Sequence, residues 1–388
     1  MKPVDGRYAT RRRLFVFSVA VAVAYFLLIL LLPPLIITKE DVALGATRID
    51  LQNNLRGVLL QIGGALLLIR GALAAAEQLQ LARESQLTER FNRAIDHLAH
   101  ERPDIRVGGI FALEQLARLS IEHHRQIISL LTAFLQHSAP FHPDKLPSRD
   151  AVTPVASDVQ AAVTVLGRRD ARRDPPDYVM DLSRINLSGV DFHGGDYRGA
   201  RFSGSSFVGA VAYDARFAAS DFTNVVMDGV NFQGAELSKC RFSGHIVGYF
   251  SDADLGEAKF DHNATIERSS FERAHARNAS FSRATLREVF FDKADLSKAT
   301  FSSARVESSY FTECRLEDSN LRGAILKKVD FSGSNFAGAD LKDADLFAVK
   351  LYHVKNLTSE QLLFADVDWE TSESRHAYAA ELRNENQR

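Results

Sequence analysis

Three kinds of hydrophobic spacing follow one another along the chain. The first is continuous. Leu14 to Ile37 hold no charged side chain, and these 24 residues exceed the roughly 20 that cross a bilayer's hydrocarbon core. Pro33 and Pro34 fall near the far end, where they disturb a spanning helix least. A polar loop, Thr38 to Asn54, leads to a second apolar run, Leu55 to Ala76. Arg56 and Arg70 interrupt it and leave only 13 uncharged residues between them. The run crosses only if Arg70 snorkels to an interface. Gly57, Gly63 and Gly64 would let a neighbouring helix approach closely. Residues 1–76 are therefore expected to form a basic tail and a transmembrane hairpin. The tail sets Lys2, Arg7, Arg11, Arg12 and Arg13 against Asp5, which places both ends of the hairpin in the cytoplasm. Arg12-Arg13-Leu14-Phe15 loosely resembles a twin-arginine export signal. The apolar run is longer than the roughly 7–15 residues of such a signal, and an anchor fits it better.

The second spacing is helical and covers residues 77–137. Leu87, Phe91, Ala94, Ile95 and Leu98 recur at steps of three and four, one face of a helix. Ile110, Leu113, Leu116 and Ala117 make a second face, and Ile127, Ile128, Leu131, Phe134 and Leu135 a third. Three such helices bury one small core, HEAT-like in style, and form a cytoplasmic helical module. Pro103 is expected to end the first of them. His97, His100, His123 and His124 lie here without a zinc spacing, so no metal site is expected. Residues 138–178 read as a proline-rich linker with Pro140, Pro143, Pro147, Pro154, Pro175 and Pro176. Within it Asp158 to Leu166 predict one short helix, with Arg168, Arg169, Arg172 and Arg173 behind it. These arginines are read as solvated; beside a bilayer they would meet anionic headgroups.

The third spacing is a period of five over residues 179–355. Leu182, Leu187, Phe192, Tyr197, Phe202 and Phe207 begin a row of large residues that runs to Val247. The register slips between Gly248 and Asn263. The row restarts at Leu255 and Phe260, moves by one residue to Ile266 and Phe271, and continues to Leu351. A small residue stands two places before most members, as at Ala200, Ser205, Cys240, Ala294 and Cys314. Five is neither the 3.6 of a helix nor the 2 of a strand. It requires a coil that turns a corner every five residues, with the large and small residues inside and polar ones outside. Stacked coils satisfy one another's backbone, so the fold is a β-solenoid.

Stretches such as Ala294-Asp295-Leu296-Ser297-Lys298 and Ala344-Asp345-Leu346 resemble the A(D/N)LXX consensus of the pentapeptide-repeat family, over about 175 residues. The resemblance implies a right-handed, quadrilateral parallel β-helix with four repeats per turn. The 34 repeat centres then make about eight coils, a rod about 40 Å long at ~4.8 Å per coil. Thr88-Glu89-Arg90-Phe91 with Ala94-Ile95, then Arg106-Val107-Gly108-Gly109-Ile110 and Ala112-Leu113-Glu114, resemble a membrane-attached subgroup of the family. Asn356-Leu357-Thr358-Ser359-Glu360-Gln361-Leu362 resembles the family's exit into a capping helix, with Thr358 or Ser359 as N-cap. Residues 356–388 are assigned to this cap and a tail.

Composition sharpens the repeat. The chain holds 26 Phe, 9 Tyr and 1 Trp, and 15 of the Phe are repeat centres. A narrow coil takes one flat ring per side, stacked on the ring below, whereas a Tyr hydroxyl would need a buried partner. Two cysteines in 388 residues exclude a disulfide scaffold. Both occupy the small inward position and read as buried apolar groups. No phosphate-binding loop, nucleophile elbow or zinc spacing occurs. No catalytic residue, cofactor or metal is expected, and the chain is not expected to be an enzyme.

Charge separates two binding functions. Some members of the resembled family mimic B-form DNA and bind DNA gyrase, which takes a strongly acidic rod. Here 24 acidic residues face 22 basic ones between Tyr178 and Lys355, so a DNA-mimicking topoisomerase-binding protein is the disfavoured alternative. Residues 20 apart should stack on adjacent coils. Arg268/Glu288, Lys293/Glu313, Glu307/Lys327, Asp295/Arg315 and Lys298/Asp318 then form solvated ladders of opposite charge. The favoured reading is a non-enzymatic, membrane-anchored scaffold that presents a rigid rod to a cytoplasmic protein. Candidate contacts are Phe290 and Tyr310, outward and 20 apart, with Tyr249 and Phe250 where the slip either bulges as a loop or folds its rings back. Without a partner the same patch is incidental or self-associating. The partners expected are the lipid bilayer, an unidentified cytoplasmic protein and a second copy of the chain, with no nucleic acid. The expected location is the cytoplasmic membrane of a bacterium, with both termini cytoplasmic.

Overall fold

The computed structural model describes residues 5–37, 48–142, 155–363 and 365–367. Lys2, the loop residues 38–47, Pro143, Pro147, Pro154 and the tail from 368 lie outside the described residues. The chain forms two compact units, 1–88 and 89–388.

The first unit holds α1 (Asp5–Ile36) and the greater part of α2 (Arg48–Leu98). Both helices are long and apolar enough to cross a membrane, over Phe17–Ile36 and within Ile49–Leu98. α1 continues through Pro33 and Pro34, which lie in its last turn. Of the three glycines singled out above, only Gly63 sits at the helix contact. A Cβ there would fall on the ring of Tyr25, while Gly57 and Gly64 have open space. The Tyr25 hydroxyl donates to the Leu59 carbonyl.

The second unit opens with the last turns of α2, followed by α3 (Pro103–Leu119), α4 (Ile121–Ser138) and α5 (Ser157–Arg168). Pro103 does not stop α2, which already ends at Leu98; it is the first residue of α3, where its missing N–H costs nothing. Ile110, Leu113 and Leu116 of α3 and Ile127, Ile128, Leu131 and Leu135 of α4 are buried. The Arg106-to-Ile110 segment has a packing role. A Cβ on Gly109 would lie 2.9 Å from the Ala94 carbonyl oxygen, so only glycine lets α3 approach α2 this closely. Arg106 donates through Nε to the Asp158 carboxylate at 2.6 Å and through Nη1 to the carbonyls of His100 and Glu101. The four histidines go to separate neighbours. His97 packs on Gly109, His100 accepts from the Arg102 amide, His123 lies edge-on to Phe91, and His124 contacts Asp174 at 2.9 Å.

The linker expectation fails at α5. This helix is buried at Val159, Ala161, Ala162, Val163, Val165 and Leu166, because its apolar residues serve two surfaces, the α3–α4 pair and the first coil. The Tyr197 hydroxyl donates to the Val163 carbonyl, and the Asp196 amide to that of Gly167. Gln160 and Asp191 exchange two hydrogen bonds. Nor is Arg169 solvated: it donates to Asp174 and to the carbonyls of Leu166 and Asp196. Arg168 and Arg172, the latter paired with Asp170, have the exposed character expected of a linker.

From Asp181 onward the chain winds as a parallel β-helix. Four ladders of backbone bridges run along it, starting with Asp181/Arg201, Asn186/Ser206, Asp191/Val211 and Asp196/Arg216, so the coil has four sides. The first ladder continues through Asp221, Arg241, Lys259, Ser280, Thr300 and Asn320 to Asp340. On the second side the bridges lengthen into one parallel sheet in chain order: β1 (Asp221–Asn231), β2 (Arg241–Tyr249), β3 (Lys259–Glu267), β4 (Thr285–Arg287), β5 (Arg305–Glu307), β6 (Ile325–Lys327), β7 (Asp345–Phe347) and β8 (Asp366–Val367). Outside the slip, two residues after each centre the backbone turns with φ near +60°, whatever the side chain: Arg184, Lys239, Arg273, Lys293 and Glu313 all adopt it. This left-handed region penalises β-branched residues most, and none of the corners from Arg184 to His353 is Val, Ile or Thr.

The core segregates its aromatics by side. Phe202, Phe222, Phe242, Phe260, Phe281 and Phe301 stack along the first side, with planes within 9° and centroids 4.6–5.1 Å apart. Phe232, Phe250, Phe271, Phe291 and Phe311 stack along the third, the opposite side. Rings of the two stacks meet edge-to-face, as Phe271 and Phe281 do at 88°, the arrangement that ring quadrupoles favour. The second side between them is mostly aliphatic, with Met227, Ile246, Ile266 and Leu286 buried. The small inward residues also link coils. Ser205, Ser220, Cys240 and Cys314 each donate to the carbonyl 23 residues earlier. Burial pushes both thiols far above their usual pKa.

The register slip is not a loop. Phe250 is fully buried and stacks between Phe232 and Phe271, so its ring follows the folded-back reading: it is a repeat centre and not an exposed contact residue. The row of centres passes through Ile246, paired in register with Met227 and Ile266, not through Val247. One residue is lost before Ile246 and one before Phe250, and one is gained before Ile266. The chain ends its last coil in α6 (Ser359–Leu363). Thr358 is the N-cap: its hydroxyl accepts from the Gln361 amide while Gln361 Oε1 accepts from the Thr358 amide, a reciprocal capping box. Gln361 also donates to the carbonyls of Phe336 and Ala339.

Candidate interaction surface

The third side carries three of the four candidate contact residues on its outer surface. The residue just before each centre forms one bridged row: Tyr249, Ser270, Phe290, Tyr310, Asp330, Lys350. Phe290 and Tyr310 are 42% and 43% exposed. Their rings stack in parallel planes with centroids 5.1 Å apart. Tyr249 is 47% exposed and lies two rungs earlier in the same row. Phe250 is separated from them, inside the core. Tyr213 sits further back on this side, partly exposed, and its hydroxyl accepts from Asn231 Nδ2 at 2.7 Å. Sequence reasoning missed Tyr213, whose place beside an Ala centre gave no signal.

Charges flank the aromatic pair in alternating sign. Lys293 and Glu313 approach to 3.9 Å, and Asp330 and Lys350 to 3.7 Å. Thr312 donates to Asp292. Arg273 makes two hydrogen bonds to Asp252, at 2.8 and 2.9 Å. Those bonds and the guanidinium charge hold the Asp252 carboxyl below the usual carboxylate range. On the fourth side Asp295 pairs with Arg315 at 3.7 Å. Each such pair lies between adjacent coils and is partly solvated, so its net worth is small. The exception is in the first coil, beside α5, where the Asp196 side chain is 6% exposed. Burial raises its pKa, but hydrogen bonds from Arg198 and the charge of Arg216 more than offset this.

Coils of four five-residue sides, a large and a small inward residue per side, and flat outer faces decide the family. Family models agree: one described as a pentapeptide repeat region matches residues 264–341, and one for pentapeptide repeats in eight copies matches 185–224 and 205–244. The chain is a pentapeptide-repeat protein. Solved structures, some of them described as pentapeptide-repeat proteins, are similar to it. HetL, involved in heterocyst differentiation regulation in the cyanobacterium Nostoc sp. strain PCC 7120, is 20% identical. That match covers 44% of this chain and 85% of HetL, with a TM-score of 0.23. Full-length QnrB1, a plasmid-mediated fluoroquinolone resistance protein, is 16% identical over 52% of this chain and 99% of its own, with a TM-score of 0.36. A protein of the Arabidopsis thaliana thylakoid lumen is 25% identical over 38% of this chain and 90% of its own, with a TM-score of 0.17. No curated protein matches the sequence.

The pentapeptide-repeat coils therefore put Tyr249, Phe290 and Tyr310 on one flat face. Aromatic side chains exposed in a row on a rigid surface suit a protein contact, since they bury much area at little conformational cost. Cys240 and Cys314 are buried, each donating to a backbone carbonyl.

Proposed function

We propose that the chain is a non-enzymatic scaffold of the cytoplasmic membrane, in which α1 and α2 anchor a pentapeptide-repeat rod that presents its third face to a protein partner. The stacked, exposed Phe290–Tyr310 pair on that face carries the reading. Two apolar helices with Phe17, Phe26, Leu66, Leu67 and Leu68 exposed support the anchor, because a water-facing surface would not hold so many. The basic tail supports cytoplasmic termini. Acids pair with bases on adjacent coils, as in Asp181/Arg201 and Asp295/Arg315, and the repeat region is nearly balanced in charge, which disfavours DNA mimicry by the rod.

The test compares the full chain with a Phe290→Asp, Tyr310→Asp variant, each recovered from its own cell's membranes in mild detergent. Both proteins are expected in the membrane fraction. A co-purifying protein is expected with the first and not with the second. Retention of that protein by the folded variant overturns the assigned face, and recovery of the chain in the soluble fraction overturns the anchor.

A further inference from the structure

The third face is self-complementary when turned end for end. Its row reads Tyr249, Ser270, Phe290, Tyr310, Asp330, Lys350. Place a second copy against it with the rods antiparallel and a two-fold axis crossing the face midway between Phe290 and Tyr310. Each residue before the midpoint then meets the residue equally far beyond it in the other copy. Phe290 meets Tyr310 of the second copy, Ser270 meets Asp330, and Tyr249 meets Lys350. These are an aromatic pair, a hydroxyl donor on a carboxylate, and an ammonium on a ring face. The neighbouring columns obey the same rule. Asp292 meets Thr312 of the second copy and Lys293 meets Glu313, so the existing Lys293–Glu313 pair becomes one edge of an alternating four-charge square.

The parallel alternative lacks this match. With the two-fold axis along the rod, Asp330 falls on Asp330 and Lys350 on Lys350, which repel. We propose that this face is a two-fold antiparallel interface between two copies of the chain, centred between Phe290 and Tyr310. The proposal rests on reading the face as an interaction surface and names its partner. A closed isologous pair uses each face once and does not propagate into a filament. Six rungs span only about 24 Å at ~4.8 Å per step, and such a strip falls below the ~1,200 Å² of a standard stable interface. The pairing is therefore weak, and the test traps it covalently.

Ser270→Cys and Asp330→Cys are introduced singly and together into the full chain, held in detergent and mildly oxidised. The native cysteines are buried. Positions 270 and 330 are three coils apart in one chain, about 14 Å, beyond the ~7 Å Cα reach of a disulfide. A covalent product of the double variant therefore joins two copies. At least tenfold more covalent dimer is expected from the double variant than from either single one, with loss of that dimer when Phe290→Asp and Tyr310→Asp are added. No excess dimer from the double variant overturns the proposal, as does equal dimer from Asp330→Cys alone, which marks the parallel arrangement. If self-pairing fails while Phe290→Asp with Tyr310→Asp still releases a co-purifying protein, the face remains a contact surface for another partner. If both fail, the reading of the face fails with them.

Discussion

The coils from Ile266 to Leu351 and the coils around Phe250 reach the same interior by different chain lengths. In the regular stretch each row advances by 20 residues, as from Ser270 to Phe290 to Tyr310. Around the slip the same rows advance by 18, from Asn231 to Tyr249, and then by 21, from Tyr249 to Ser270. The aromatic stack ignores the difference: Phe232–Phe250 and Phe250–Phe271 are as continuous as Phe271–Phe291. The ring stack fixes the position of each side, and the corners absorb the missing and extra residues. At one such corner Gly244 takes φ +100° with its Cα close against Val225; a Cβ would lie 2.5 Å from the Val225 carbonyl oxygen. At a regular corner such as Gly323, with φ +60°, a Cβ would meet only Ser303 Oγ, at 3.7 Å.

The strongest way to break this comparison is to remove a ring from each stretch. Phe250→Ala and Phe291→Ala should each cost about 3–5 kcal/mol, since both empty a fully packed site. Urea unfolding of the detergent-solubilised full chain, followed by circular dichroism, measures both. A cost for Phe250→Ala far below that for Phe291→Ala would mean that the slipped coil is loosely packed. The next effect sharpens the contrast at the corners. Gly323→Ala should cost about 1 kcal/mol for the left-handed backbone alone, and Gly244→Ala at least twice that, because it adds a clash with backbone. Equal costs would show that the slipped corner relaxes freely. The smallest effect belongs to Asp252, whose bond to Arg273 spans the 21-residue coil. Its carboxyl is held below its usual pKa, so the bond's contribution is present above about pH 4 and is lost as pH falls through the lowered value. Asp252→Asn should shift the unfolding midpoint only slightly at pH 7, with the difference from the parent vanishing as pH falls through the lowered value.

The period of five made the coil, its inward residues and the twenty-residue offset between rungs legible, and with them the Phe290–Tyr310 pair. Tyr249 was not legible as part of the same row, because the slip moves it to 21 residues before Ser270. The position of the slip was obscured by Ile246 and Val247, two adjacent apolar residues that a fixed period cannot tell apart. The backbone pairs Ile246 with Met227 and so decides between them. The burial of α5 was hidden for a different reason. The prolines around it resemble a linker, and its contacts with Tyr197 and Asp158 with Arg106 join residues 34 and 52 positions apart, which no local spacing encodes. Segregation of Phe onto opposite sides was present in the row but shows only when the centres are read four at a time.

The left-handed corners have an evolutionary consequence. Because the stack beneath dictates the corner conformation, almost any side chain that is not β-branched can occupy it, and outer residues can change with little effect on the interior. A full coil is then the unit in which such a gene can lengthen or shorten. Duplication of twenty codons would add one rung and leave every downstream face pointing in its original direction. Duplication of fifteen would rotate the rest of the rod by a quarter turn and carry Phe290 and Tyr310 to a different side.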